Sequence, residues 1–303
     1  MTDISVVIPT CDRPKTLIEA INCVLDQSYP AHEIIVVNNG GQPLDKQLIP
    51  PQVKVCELPP YAGVSFARNQ GVTLAHSDYV AFLDDDDLWE SDYLNKAVKV
   101  IDEYHPDCVI TRLDKLVDGQ VYPYKNADGR LDLETLFVSN PGVGGPTTVV
   151  RREAFLDVSG YDIKLKTGED KALIIDLLIN GYSVITAPHI QAIMRYHENS
   201  RLSDAASMCE GISGFVSKYG RLMSAPQKNF NLVKVYYYRY LASRHTLDFY
   251  HFWLCFLLHL LYCRIDSTLP KAPQLPLLNP MTKIKHALRS WINQISKAKR
   301  KEI

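Results

Sequence analysis

Apolar positions in the first 110 residues follow two alternating patterns. Five stretches are short and mainly apolar, the first a continuous β-branched run: "ISVVIP" (4–9), "EIIVVN" (33–38), "VKVCEL" (53–58), "YVAFLD" (79–84) and "DCVITR" (107–112). That is the pattern of strands covered on both faces. Between them, apolar residues recur at helical spacing. Pro14 opens one such segment, with Leu17, Ile18, Ile21, Val24 and Leu25 on one face. Further helices are predicted over about 62–75 and 91–104. Strand and helix in alternation predict an α/β fold with a mostly parallel central sheet and flanking helices. Ligands of such sheets bind beyond the carboxyl ends of the strands. Three polar groups follow three of these strands: Thr10 to Arg13, Asn38 with Asn39, and Asp84 to Asp87. Parallel strands place all three on one edge.

From about 115 to 200 the pattern is mixed. "VGGPTTVVRREAF" (143–155) reads as a glycine-rich loop, a strand and a helix start. "GEDKALIIDLLINGY" (168–182) reads as a helix with Leu173, Ile174, Leu177 and Leu178 inward, ending at Gly181. "YSVITA" (182–187) and "IQAIMRYH" (190–197) read as two strands. After about Ser203 the pattern is mainly helical, and "LPKAPQLPLLNP" (269–280) reads as a linker. The division expected is one α/β domain over 1–225 and a helical extension over 226–303.

Composition changes this picture little. The 303 residues are 46% hydrophobic and 22% charged, enough for a sizeable core. A net charge of -1 argues against a nucleic-acid partner. Seven cysteines form no CxxC pair and no zinc spacing, which suits free thiols in a reducing compartment. "MTDISVVIPT" enters a strand with no basic segment before it, so no signal peptide is expected. The longest apolar run, "FYHFWLCFLLHLLYC" (249–263), falls short of the ~18 residues that span a bilayer. A cytoplasmic location is expected, either free or peripheral on the cytoplasmic face of the membrane.

Asp84, Asp85, Asp86 and Asp87 stand directly after an apolar run. Asp87 alone also suits a cap for the helix near Ser91. Four fused carboxylates repel one another unless a cation is present. Hard oxygen ligands suit Mg²⁺ or Mn²⁺, which keep positions open for substrate phosphates. The spacing is not that of an EF-hand.

"SVVIPTCDRPKTLIEAINCVLDQSYPAHEIIVVNNGG", "SFARNQGVTLAHSDYVAFLDDDDLW" and "TGED", in this order, resemble the nucleotide-sugar glycosyltransferases of family 2, whose fold is called GT-A. The likeness runs over roughly 3–200. It implies an inverting, divalent-cation-dependent transfer of a sugar from a nucleotide-diphosphate donor to a saccharide or lipid-linked acceptor. It implies Asp86 as the metal ligand, with Asp84 toward the ribose or the metal's water shell and Asp85 nearby. Thr10, Asp12 and Arg13 would meet the nucleotide, and Arg13 also reads as an exposed helix-start residue. Asn39 stands where the family has an aspartate for the uracil N–H; its amide oxygen still accepts, so a UDP-sugar is expected, with GDP and dTDP open. The pair Asn38–Asn39 also reads as a turn before Gly40 and Gly41.

By the same resemblance Arg68 approaches base or phosphate, Asp170 is the general base, and Glu169 neighbours the acceptor. "TGED" fits a capping box with Thr167 as cap as well. "NPGVGGPTT" (140–148) would line the acceptor side. His197 in "RYHENSRLS" would complete the metal shell or touch the diphosphate, and also reads as a structural histidine. Trp89 would stack on a sugar or sit in the core.

The last segment is basic. Lys283, Lys285, Arg289, Lys297, Lys299, Arg300 and Lys301 flank an apolar stripe of Ile284, Leu288, Trp291, Ile292 and Ile295. Such a helix suits an anionic membrane surface, or a helical lid on the protein. Two alternatives to the transferase remain: an inactive saccharide- or partner-binding module on the same fold, and a sugar nucleotidyltransferase. The latter needs a glycine-rich basic loop after the first strand, and "PTCDRPKT" has no glycine.

Overall fold

The structure, a computed structural model, describes residues 2–125, 131–195, 204–243 and 245–265. These divide into two compact units, one ending at Met223 and the other beginning at Ser224.

The first unit opens as the apolar pattern requires: β1 (Ile4–Thr10), α1 (Pro14–Leu25), β2 (Glu33–Asn38), β3 (Val53–Glu57), α2 (Val64–Leu74) and β4 (Tyr79–Phe82). A two-residue β5 (Leu88–Trp89), α3 (Tyr93–Tyr104), β6 (Cys108–Val117) and β7 (Gln120–Lys125) follow. Then come α4 (Leu133–Val138), a 3₁₀ turn at Gly145–Thr147, β8 (Thr148–Arg151), α5 (Arg152–Asp157), α6 (Glu169–Ile179), β9 (Val184–Arg195) and α7 (Ala205–Tyr219). The sheet order is β3-β2-β1-β4-β8-β6-β9-β5, with β7 added to β6 as a hairpin.

Strands β1 to β4 run parallel, and Thr10 pairs with Asn38 at the carboxyl edge. Strand β8 runs antiparallel to β4, with Ala81 opposite Val149. Its reversed direction brings the loop before it, 140–147, to the same edge where β4 ends. One alternating strand feeds two cores. Val6 and Ile8 face the α1 and α3 side, and Val7 faces the α2 and α6 side. Burial on both faces explains the unbroken apolar runs. Gly71 of α2 lies so close to Val7 of β1 that a Cβ there would collide with it.

Three readings of the chain change. Residues 184–195 form one strand rather than two. The pairing with β6 slips between Thr111 and Arg112, so the bulge absorbs Pro188, which has no N–H to give a ladder. The capping box at "TGED" does not form: Gly168, at φ +80, is the cap of α6 and Thr167 is not. Nor does Asp87 cap α3, whose cap position is Asp92.

The second unit contains α8 (Ala225–Ser243) and α9 (Thr246–Ile265). They share a small core of Val233, Tyr237 and Phe252, and Asn229 donates to the carbonyl of Cys255 at 2.8 Å. On α9, Leu247, Tyr250, Leu254, Leu257 and Leu261 are exposed along one stripe. No helix among the described residues is long and apolar enough to cross a membrane.

Candidate active site at the carboxyl edge of the sheet

The four aspartates take four different positions. Asp85 is fully buried and points back into the protein. It accepts from the Thr10 hydroxyl at 2.7 Å and from Arg13 Nε at 3.2 Å, tying the loop after β4 to the loop after β1. Burial pushes its carboxyl up to about 6, against the pull of Thr10 and Arg13. Asp86 accepts from Arg13 Nη1 at 2.7 Å, so the half-exposed Arg13 bridges two adjacent carboxylates. Asp87 accepts from the backbone N–H of Arg195 at 3.2 Å, where β9 ends. Asp84 turns the other way, to Arg68.

Arg68 rises from α2 and is buried, with 4% of its side chain exposed. Its guanidinium donates to Asp84 Oδ1 at 2.6 Å and to Asp170 Oδ1 at 3.1 Å, and lies 3.7 Å from Glu169 Oε1. One buried cation thus holds the end of β4 to the start of α6. Nearby, Asn69 exchanges two hydrogen bonds with the backbone of Tyr161, at 2.8 and 2.9 Å, which secures the chain leading to α6. Desolvation drives the Asp170 carboxyl above its ordinary range, and Glu169 adds to the shift while Arg68 opposes it. Glu169 moves the same way, first by burial.

On the other flank, Asp12 adopts φ 54 and accepts from the N–H of Gly41 at 2.8 Å and the hydroxyl of Tyr61 at 3.1 Å. Asn39 Oδ1 accepts from the N–H of Gly63 at 3.1 Å, and Asn38 Nδ2 donates to Glu57 at 2.6 Å. Both asparagines therefore shape this loop, whatever else they meet. Tyr61 is 68% exposed beside them and was not singled out by sequence; only its neighbourhood to Asp12 marks it.

Asp84, Asp87 and Asp170 open into a cleft of about 220 Å³. Leu113, Tyr124, Val143 and Met194 add apolar lining, and the loop residues Asn140 and Gly142 to Pro146 complete it. Asn140 Oδ1 accepts from the N–H groups of Gly142 and Val143, at 3.0 and 2.8 Å. Trp89 is core: its ring stacks on Tyr93 at 4.2 Å, and its Nε1 donates to the carbonyl of Pro146 at 2.8 Å. It supports the loop from below. Leu113, Tyr124 and Met194 escaped the sequence reading because they sit on strands distant in the chain. His197 lies outside the described residues.

Among the described residues no group of three or more His, Cys, Asp or Glu is arranged to hold a metal. Asp84 lines the cleft and supplies a hard carboxylate oxygen, the donor type that Mg²⁺ and Mn²⁺ take with substrate phosphates completing the shell, while the neighbouring Asp86 is buried and held by Arg13. The chemistry of these carboxylates fits such an ion, with Arg13 and Arg68 as the cations that now balance their charge.

Residues 5–158 match the glycosyl transferase family 2 profile. A Bacillus subtilis protein named for teichuronic acid biosynthesis, TuaG, is 27% identical over 216 residues, 65% of this chain and 80% of its own length. The amylovoran biosynthesis glycosyltransferase AmsB of Erwinia amylovora is 26% identical over 225 residues, 66% of this chain and 72% of its own. Among solved structures, Staphylococcus aureus TarS 1-349 in complex with UDP-GlcNAc superposes with a TM-score of 0.58 at 20% identity, covering 80% of this chain and 74% of that one. The ordered strands, the aspartates at their carboxyl edge and the matched profile together make this chain a member of glycosyl transferase family 2, a glycosyltransferase of the GT-A fold.

Proposed function

We propose that the chain transfers a sugar, with inversion, from a UDP-sugar to a hydroxyl of a saccharide or lipid-linked acceptor in cell-surface polysaccharide synthesis. One observation carries this reading: Asp84 and Asp170, 86 residues apart in sequence, hang on a single buried guanidinium and open into one cleft. That joins a diphosphate-side carboxylate to a base-side carboxylate. The names of the relatives supply the polysaccharide context, and the ligands of TarS supply the donor class.

In the proposed reaction the acceptor oxygen bonds to the anomeric carbon. The bond from that carbon to the diphosphate breaks, and its electron pair leaves on the diphosphate. The acceptor proton passes to Asp170, which must be ionised to take it. Attack opposite the leaving group inverts the anomeric centre. Thr10, Asp12, Arg13 and Asn39 frame the nucleoside side, and Arg68 holds Asp84 and Asp170 in register. Asp86, with Asp84, would hold a divalent cation, Mn²⁺ or Mg²⁺, which supplies Lewis-acid neutralisation of the diphosphate. His197 is proposed as a further ligand on the family resemblance alone.

The stripe on α9 and the basic residues 283–301 support peripheral attachment to an anionic membrane. Screening nucleotide sugars for Mn²⁺-dependent nucleotide release tests the chemistry. Asp86→Ala should weaken metal and nucleotide binding together, whereas Asp170→Asn should bind donor and lose transfer. Wild-type turnover in either variant removes that residue's role. Deletion after Pro280 should reduce pelleting with phosphatidylserine vesicles, and equal pelleting refutes the membrane attachment.

A further inference from the structure

The cleft is lined by two chemically different kinds of group: the carboxylates of Asp84, Asp87 and Asp170, and the apolar side chains of Leu113, Tyr124 and Met194. The charged diphosphate of a donor gains nothing from these apolar groups. Tyr124 reaches the cleft from the β6–β7 hairpin and is 41% exposed. Lys115, across the hairpin, holds its ammonium 3.7 Å from the centre of the ring, a cation–π contact that covers one face of it. A part-exposed aromatic ring with two aliphatic neighbours matches a ligand that has one C–H face and a hydroxyl-bearing rim. A pyranose ring has that shape. An open-chain polyol does not, because its C–H groups form no flat face.

We propose that Tyr124, with Leu113 and Met194, is the subsite for a pyranose of the acceptor, seated by its C–H face on the tyrosine ring with a rim hydroxyl toward Asp170. The inference rests on the transferase reading above and adds the class of acceptor. It makes this chain a glycosylator of ring sugars rather than of linear polyol chains.

The test uses the full chain with Mn²⁺ and whichever UDP-sugar supports release of UDP. Acceptor probes are p-nitrophenyl pyranosides on one side and ribitol and glucitol on the other. Pyranosides should raise UDP release above the acceptor-free rate, and the alditols should not. Tyr124→Ala should raise the KM for the pyranoside about tenfold, and Tyr124→Phe should keep it within about twofold, as expected when the ring rather than the hydroxyl is the anchor. Tyr122→Ala, on the same hairpin but outside the cleft, is the control for hairpin damage. UDP binding by calorimetry verifies that each variant is folded.

An unchanged pyranoside KM in Tyr124→Ala overturns the inference. So does equal stimulation by alditols, or donor hydrolysis that no pyranoside stimulates. Failure of every UDP-sugar to bind or to be hydrolysed overturns the transferase reading instead, and the acceptor subsite with it.

Discussion

Gly145 offers a sharp test of the buried ion pair. It opens the 3₁₀ turn under the cleft, and its Cα stands against the Arg68–Asp84 contact. A Cβ built there would lie 2.5 Å from Arg68 Nη2, 2.9 Å from Arg68 Cζ and 3.0 Å from Asp84 Oδ1. Ordinary heavy-atom contact is about 3.5 Å, so the guanidinium or the loop must move by roughly 1 Å. The guanidinium has little room to give, since it is buried and bonded to Asp84 and Asp170. Overpacking of this kind costs about 1–3 kcal/mol. In a unit of this size that lowers Tm by about 3–9 °C. Displacing catalytic carboxylates by ~1 Å costs up to ~100-fold in turnover. Gly145→Ala should therefore lower both Tm and kcat/KM for the donor. Gly144→Ala is the comparison: its Cβ would meet only Pro146 Cδ, at 3.8 Å, and its extended φ of -162 suits any residue. It should cost far less. Thermal unfolding by circular dichroism and nucleotide release measured on the same preparations decide the matter. Wild-type kcat/KM and Tm in Gly145→Ala would refute the claim that the guanidinium is clamped at this spot.

Other consequences are independent of that one. Asp170 is raised by burial and by Glu169, so activity should fall as pH drops through a value above the ordinary aspartate range. Glu169→Gln removes a neighbouring negative charge and should move this acid limb to lower pH; no movement in the kcat/KM profile would show that the limb belongs to another group. Glu33 is buried at the head of β2. Burial opposes its ionisation, but Lys54 at 2.5 Å, Ser5 at 2.6 Å and the N–H of His76 at 2.6 Å outweigh it and hold the carboxyl down to about 2. Because the folded value is depressed, its stabilisation is complete above about 4.5 and fades as pH falls toward 2. Glu33→Gln should cost about 2–3 kcal/mol at pH 7 in urea denaturation and much less near pH 2; an equal loss at both pH values counts against the ionic contribution. Tyr61→Ala should raise the Kd for UDP several-fold while leaving Tm within about 1 °C, since exposed side chains contribute little to stability; an unchanged Kd removes Tyr61 from the nucleotide site.

Local sequence settled much of this molecule. The apolar runs of β1, β2 and β4 are unbroken because helices cover both faces of the sheet, and burial of that kind is written in composition at short range. Parallel order then sent Thr10, Asn39 and Asp84 to one edge. Mutual repulsion of four adjacent carboxylates marks the aspartate run as a place of chemistry. Contacts between distant segments were not legible. Which aspartate turns inward depends on Thr10 and Arg13, some 70 residues earlier in the chain. Arg68 reads in sequence as a helical arginine, placed near a nucleotide only by the family resemblance; its burial between Asp84 and Asp170 arises from three chain segments meeting, and Gly145 leaves the space for it. Pro188 suggests a strand break until a slipped register with β6 absorbs it. Sequence specifies what each segment prefers and which face it must hide; the pairing of charges across those segments is decided only when packing brings them within hydrogen-bonding distance.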